Sequence, residues 1–162
     1  MKFFGVEIRE DLPGEEPLVQ LAGVIEDIVP LLAEAWKAAD EEQGPERYRK
    51  SFARLRAASA ILNRHFGTEP DCDDGVGVSI ERIKDECFDL IMQLAKYSKR
   101  MSEMAERGAT DEEVEKLTEI LGRELKSTQL QVSRLFNSWT YRQQIRYQRV
   151  LRGEPETDPL AN

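Results

Sequence analysis

Apolar residues recur every three or four positions along four stretches of this chain, which is the spacing of one face of an α-helix. The stretches span residues 17–42, 46–66, 79–107 and 110–152. Because short connections join them, they predict an all-α, antiparallel up-down-up-down four-helix bundle. The predicted core positions are Leu18, Leu21, Ile25, Ile28, Leu32, Ala35 and Ala39, then Tyr48, Phe52, Leu55, Ser59, Leu62 and Phe66, then Ile80, Ile83, Cys87, Leu90, Leu94, Tyr97, Met101 and Met104, then Val114, Leu117, Leu121, Leu125, Thr128, Val132, Leu135 and Trp139.

Local signals mark where these helices begin and where one is disturbed. Thr110 with Glu113 three residues later forms a capping box, which predicts the start of the fourth helix. Ser79 is a predicted N-cap of the third helix. Pro30 removes a backbone donor inside the first helix, so a kink is expected there.

The fourth helix is predicted to be longer than its neighbours. About 42 residues of helix would span ~63 Å, whereas the third helix, about 29 residues, would span ~43 Å. The chain is therefore divided into an extended N-terminal segment over 1–16, a bundle over 17–140, and a basic helical extension with an acidic tail over 141–162. The extension either projects from the bundle or bends back onto it.

Charge distinguishes the end of the fourth helix from the rest of the chain. The formal net charge is −8, yet residues 134–152 carry five arginines and no acid. Arginine, tryptophan and tyrosine are enriched at binding hot spots, so this helix is predicted to bind a protein partner or a second copy of the chain. The predicted partner-binding residues are Trp139, Tyr141, Arg142, Arg146, Tyr147 and Arg149. The alternative is a solvated basic face whose apolar side packs on the bundle.

Other charges bear on partners and compartment. The basic residues of the second helix face an acidic first helix, and antiparallel neighbours would pair them within the chain. The acidic balance argues against whole-surface binding to nucleic acid, so RNA or DNA backbone binding by the basic helix is a lesser alternative. No apolar run approaches the ~18 residues of a membrane span, and a cytoplasmic, reduced compartment is expected.

Catalytic and metal-binding chemistry has little support in the residues. His65 is a lone histidine, expected at a helix end, so no histidine metal centre is predicted. Cys72 and Cys87 have no metal or redox spacing, and Cys87 is predicted to be a buried apolar residue. The acidic loop over 71–75 lacks the spacing of a calcium loop. No cofactor is expected, and the chain is interpreted as a non-enzymatic adaptor or assembly subunit.

Two resemblances supply the alternative functions. Glu86-Cys87-Phe88-Asp89 is similar to the second half of the magnesium-binding pattern of MazG-type helical nucleotide pyrophosphohydrolases, which would make Glu86 a metal ligand. The order of helices, with a glycine-containing loop at 75–77, resembles the flagellar export chaperones that cap flagellin. That resemblance covers residues 17–126 and implies a secretion chaperone that binds a helical tail of its client.

Overall fold

The computed structural model describes the backbone of residues 2–3, 6–7, 16–67 and 79–153, and the side chains of 17–44, 46–67, 79–135 and 150–153. Four helices account for nearly all of it: α1 Glu16–Glu41, α2 Pro45–Phe66, α3 Ile80–Arg107 and α4 Asp111–Leu151. The predicted four-helix bundle is confirmed, and each described helix end lies within one residue of its prediction.

A short β-pair precedes the bundle. Strands β1 Lys2–Phe3 and β2 Val6–Glu7 are antiparallel, with Lys2 opposite Glu7 and Phe3 opposite Val6. The pair lies close to α1 and α3. The sequence predicted only an extended segment here, since two-residue strands carry no periodic signal.

The core follows the predicted stripes. All seven predicted positions of α1 are buried, as are the predicted α4 positions from Val114 to Leu135. Tyr48, Phe66 and Tyr97 are half-buried and pack against this core from its edge. Trp139 lies outside the described side chains. One continuous apolar cluster therefore joins the four helices, which is the source of most of their stability, since helix propensity alone contributes little.

Helices α1 and α2 make the closest contact in the bundle, and they run antiparallel. The Ser51 hydroxyl of α2 donates to the Ala35 carbonyl of α1 over 3.2 Å. One turn earlier in α2, the Arg47 guanidinium donates to the Ala39 carbonyl over 2.9 and 3.1 Å. Alanine and serine at these positions leave room for the two backbones to approach.

Polar contacts at several levels join α3 to its neighbours α1 and α4. Lys84 near the start of α3 pairs with Asp40 at the end of α1 over 2.8 Å. Gln93 of α3 donates to Glu124 of α4, and Arg107 pairs with Glu113 across the loop. The two pairs place later α3 residues beside earlier α4 residues, so these helices also run antiparallel.

A buried glutamine joins α4 to the end of α2. Gln129 is fully buried, and its amide nitrogen donates to the Asn63 side chain and to the Gly67 carbonyl, each over 2.8 Å. Gly67 ends α2 at φ +87°, a conformation that glycine adopts with little strain. The contact gives the carbonyl of a helix-ending residue a partner inside the protein.

Both predicted helix starts are confirmed. The Ser79 hydroxyl accepts from the Arg82 amide over 3.0 Å. The Thr110 hydroxyl accepts from the Glu113 amide over 3.2 Å, and the Glu113 carboxylate accepts from Thr110 in return. At Pro30, which is exposed, α1 continues as one helix.

Candidate functional site

The C-terminal part of α4 continues well past the described core. Leu135 is the last buried residue among the described side chains, and the helix runs to Leu151. Sixteen further residues of helix correspond to about 24 Å. At its described end, Val150 and Leu151 are 50% and 68% exposed. Gly153 follows at φ +74°. The end of α4 therefore presents two large apolar side chains and Arg152 to solvent.

The predicted partner-binding residues all belong to this helix. Their side chains lie outside the described part of the structure, so no contact is assigned to any of them, and their role stays a prediction. The helical backbone does place residues 142, 146 and 149 on one face, since positions three and four apart are neighbours. The six predicted partner-binding residues are Trp139, Tyr141, Arg142, Arg146, Tyr147 and Arg149.

Basic residues of α2 are engaged within the bundle, as predicted. Arg54 pairs with Glu34 of α1 over 3.0 Å, and Lys50 pairs with Glu42 over 2.8 Å. Arg49 instead pairs with Glu46 of its own helix. The side chains in these pairs are at least one-third exposed, so each pair contributes well under ~1 kcal/mol. Their consequence is electrostatic, because they offset part of the positive charge of α2.

A shallow groove follows these ion pairs between α1 and α2. Its lining carries both signs of charge and no histidine, cysteine or hydroxyl group that could act as a nucleophile. Lys50 and Arg54 already pair with acids at the wall of the groove, so these two cations are not free to bind an anion there. The lining residues are Glu34, Lys37, Ala38, Glu41, Glu42, Lys50, Ala53 and Arg54.

The Glu-x-x-Asp stretch on α3 is not assembled into a metal centre within the described residues. Glu86 accepts from Arg82 over 3.0 Å on its own helix, while Asp89 is exposed. No group of three or more histidines, cysteines or acids that could hold a metal ion occurs in the part of the chain that the structure describes. The acidic loop over 71–75 lies outside that part.

Cys87 occupies a core position, and His65 lies at the end of a helix. Cys87 is buried on the core face of α3, and burial, with the charge of Glu86, raises the pKa of its thiol to about 12. The reactive thiolate is therefore scarce at neutral pH. His65 lies in the last turn of α2 and meets the Phe66 ring edge-on, with ring centroids 4.6 Å apart. The predicted burial of Cys87 and the predicted helix-end position of His65 are confirmed.

One exposed feature of α3 was missed by the sequence reasoning. Phe88 and Met92 are 53% and 55% exposed, although large apolar residues are usually buried. They are four residues apart and lie opposite the core stripe of α3. A helical projection of α3 would have found them, because the stripe through Ile83, Leu90 and Met101 leaves them on the far side.

Comparisons with known proteins do not connect this bundle to a function. No protein family, no characterised protein and no solved structure was found to match the chain. The resemblances to pyrophosphohydrolases and export chaperones therefore rest on the quoted stretches of sequence. Among the described residues, none of the helices combines the length and apolar composition that a membrane span requires.

Proposed function

We propose that this chain is a non-enzymatic helical adaptor or assembly subunit that binds a protein partner through the C-terminal part of α4. The observation that carries the proposal is the end of α4, where one unbroken helix reaches Leu151 with Val150 and Leu151 exposed. Sixteen helical residues follow Leu135, which is the last buried residue among the described side chains.

Charge supports the choice of partner. Residues 134–152 hold five arginines and no acid in a chain of net charge −8. Arg142, Arg146 and Arg149 share one helical face, so an acidic or amphipathic protein surface would meet them together. Exposed Val150 and Leu151 would add apolar contact at the end of the same helix. Arginine beside aromatic residues is a frequent composition of binding hot spots.

Charge reversal tests the proposal. Proteins captured from cell extract by the wild type are compared with those captured by a chain carrying Arg142→Glu, Arg146→Glu and Arg149→Glu. We expect the partner to be lost, because like charges would now face its acidic surface. Recovery of the same partner by the triple variant would contradict the proposal.

A second triple variant controls for net charge. Arg56→Glu, Lys116→Glu and Lys126→Glu change the charge equally at exposed positions of α2 and α4. This variant should capture the partner as the wild type does. Removal of residues 141–162 should abolish capture while the thermal unfolding of the bundle changes little. If the truncated bundle melts, that part of α4 is structural.

The alternative functions give different results in the same set of proteins. A nucleic-acid binder would show affinity that falls steeply with salt. A pyrophosphohydrolase would release phosphate products from nucleoside triphosphates with magnesium, and Glu86→Gln would remove that activity. A secretion chaperone would form a complex with the helical tail of a secreted protein that survives charge reversal at α4.

A further inference from the structure

The middle of the outer face of α3 carries two exposed apolar residues, with acids toward the start of the helix and lysines after them. Phe88 and Met92 lie at its middle, each with more than half of its surface exposed. Toward the start of α3 the face carries Asp85 and Asp89, both exposed. Toward the end it carries the exposed residues Lys96 and Lys99; we call residues 85, 88, 89, 92, 96 and 99 the outer α3 face.

The charges of this face are separated along the helix and unpaired among the described residues. Asp85 and Asp89 are four residues apart, where like charges repel, and Lys96 and Lys99 are three apart. No ion pair of the described residues involves any of the four, whereas Arg82 and Lys84 on the sides of α3 do have acidic partners. The described residues thus leave two acids and two lysines without an ion pair, next to two exposed apolar side chains.

The part of this face from Asp85 to Lys99 is self-complementary in one orientation, whereas Glu81 and Glu103 beyond it would face each other. If a second α3 lies antiparallel on the first, its Lys99 comes opposite Asp85 and its Lys96 opposite Asp89, twice by symmetry. Met92 then meets its counterpart at the two-fold axis, and Phe88 lies against the aliphatic part of Lys96 from the second copy, so both are removed from water. A parallel arrangement would instead place acids against acids and lysines against lysines.

We infer that the outer α3 face is a docking surface for a second copy of this chain, which binds antiparallel around a two-fold axis close to Met92. The surface is separate from the C-terminal part of α4, so a homodimer formed here would present two copies of that helix. Because the charge pairs lie at the rim in solvent, association should weaken as ionic strength rises.

Charge-swapped pairs provide the test. One chain carries Asp85→Lys with Asp89→Lys, and the other carries Lys96→Glu with Lys99→Glu. Across the two-fold axis each variant opposes like charges, so we expect its self-association, measured by sedimentation velocity, to weaken by at least ~10-fold relative to the wild type. An equimolar mixture of the two should restore dimers, because opposite charges meet again.

A matched control separates the face from net charge. Glu112→Lys with Glu115→Lys makes the same change in charge as the Asp85→Lys, Asp89→Lys variant, but at exposed positions of α4. This control should dimerise as the wild type does. The inference is overturned if the wild type stays monomeric at every concentration. It is also overturned if both swapped variants dimerise as well as the wild type, or if the control loses dimerisation too.

Disulfide trapping tests the orientation. In a Cys72→Ser background, Met92→Cys should cross-link to itself under mild oxidation, since the axis lies beside it. Asp85→Cys and Lys99→Cys should cross-link to each other when mixed, and far less when each is alone. Cys87 does not interfere, because it is buried. Self-linking at both 85 and 99 would indicate parallel packing and contradict the inference.

Discussion

The two helical hairpins of this bundle differ in how closely their backbones approach each other. Where α1 meets α2 at Ala35 and Ser51, the facing residues are small, and the Ser51 hydroxyl reaches the Ala35 carbonyl directly. Between α3 and α4 the backbones approach closely at few places, and buried leucine and methionine occupy the interior, as at Met101 and Leu121. Small residues therefore let the backbones of α1 and α2 touch, whereas large side chains fill the space around α3 and α4.

This difference determines which substitution damages each hairpin. The α1–α2 contact has no large side chain at Ala35 to lose, so it should be sensitive to added volume. The α3–α4 side should be sensitive to removed volume, because a deleted side chain leaves a cavity that its neighbours fill incompletely.

The largest effect is expected for Leu121→Ala. Leu121 is fully buried in α4, so its truncation should lower the free energy of unfolding by about 2–5 kcal/mol. Urea denaturation followed by circular dichroism measures it. Leu151→Ala, at 68% exposure on the same helix, should stay within about 0.5 kcal/mol. Equal losses in the two variants would mean that the end of α4 is packed.

Ala35→Leu should be next in size. Ala35 is fully buried at the point where α1 meets Ser51, and three extra carbon atoms would force the helices apart at a cost of about 1–3 kcal/mol. Ala60→Leu makes the same change at an exposed position of α2 and should be nearly neutral. A stable Ala35→Leu protein would show that the close approach is not required.

Arg47→Met tests the polar part of the same contact. Loss of the two hydrogen bonds to the Ala39 carbonyl should lower the free energy of unfolding by about 1 kcal/mol. Arg49→Met removes an exposed arginine two residues on and should cost less than about 0.5 kcal/mol. If both cost the same, net charge rather than the α1–α2 contact accounts for the loss.

The smallest effect on stability is expected for the Arg107–Glu113 ion pair at the α3–α4 loop, and it depends on pH. The Arg107 guanidinium, with hydrogen bonds from Thr110, holds the pKa of the Glu113 carboxyl below its usual value. A carboxyl with a lowered pKa stabilises the fold above the pKa of the unfolded chain, and that stabilisation is lost as pH falls through the folded pKa.

Glu113→Gln measures this contribution, because glutamine keeps the capping box while removing the charge. The variant should be slightly less stable than the wild type at pH 7, and thermal melts should converge as the solution is acidified. Glu112→Gln, in the same helical turn, has no ion pair among the described residues and should show a smaller difference. A gap for Glu113→Gln that persists in acid would rule out the ion pair as its source.

Much of the fold could be predicted because its signals are local. Helix starts depend on hydroxyls one turn away, as at Ser79 and Thr110, and both predicted caps are present. The stripe spacing predicted the burial of Cys87, and the raised pKa of its thiol follows from that burial. For the proposed site, the charge pattern of residues 134–152 could be read, whereas the side chains of 136–149 lie outside the described part of the structure.

The sequence by itself thus determined the number of helices, their ends and the face that each turns inward, since these depend on residues within one or two turns. Only the tertiary structure decided that Asp40 pairs with Lys84 of α3 and that Gln129 is buried against Gly67. These contacts join residues far apart in the chain, so they depend on which helices meet and how closely, and that in turn depends on how all the side-chain volumes pack together.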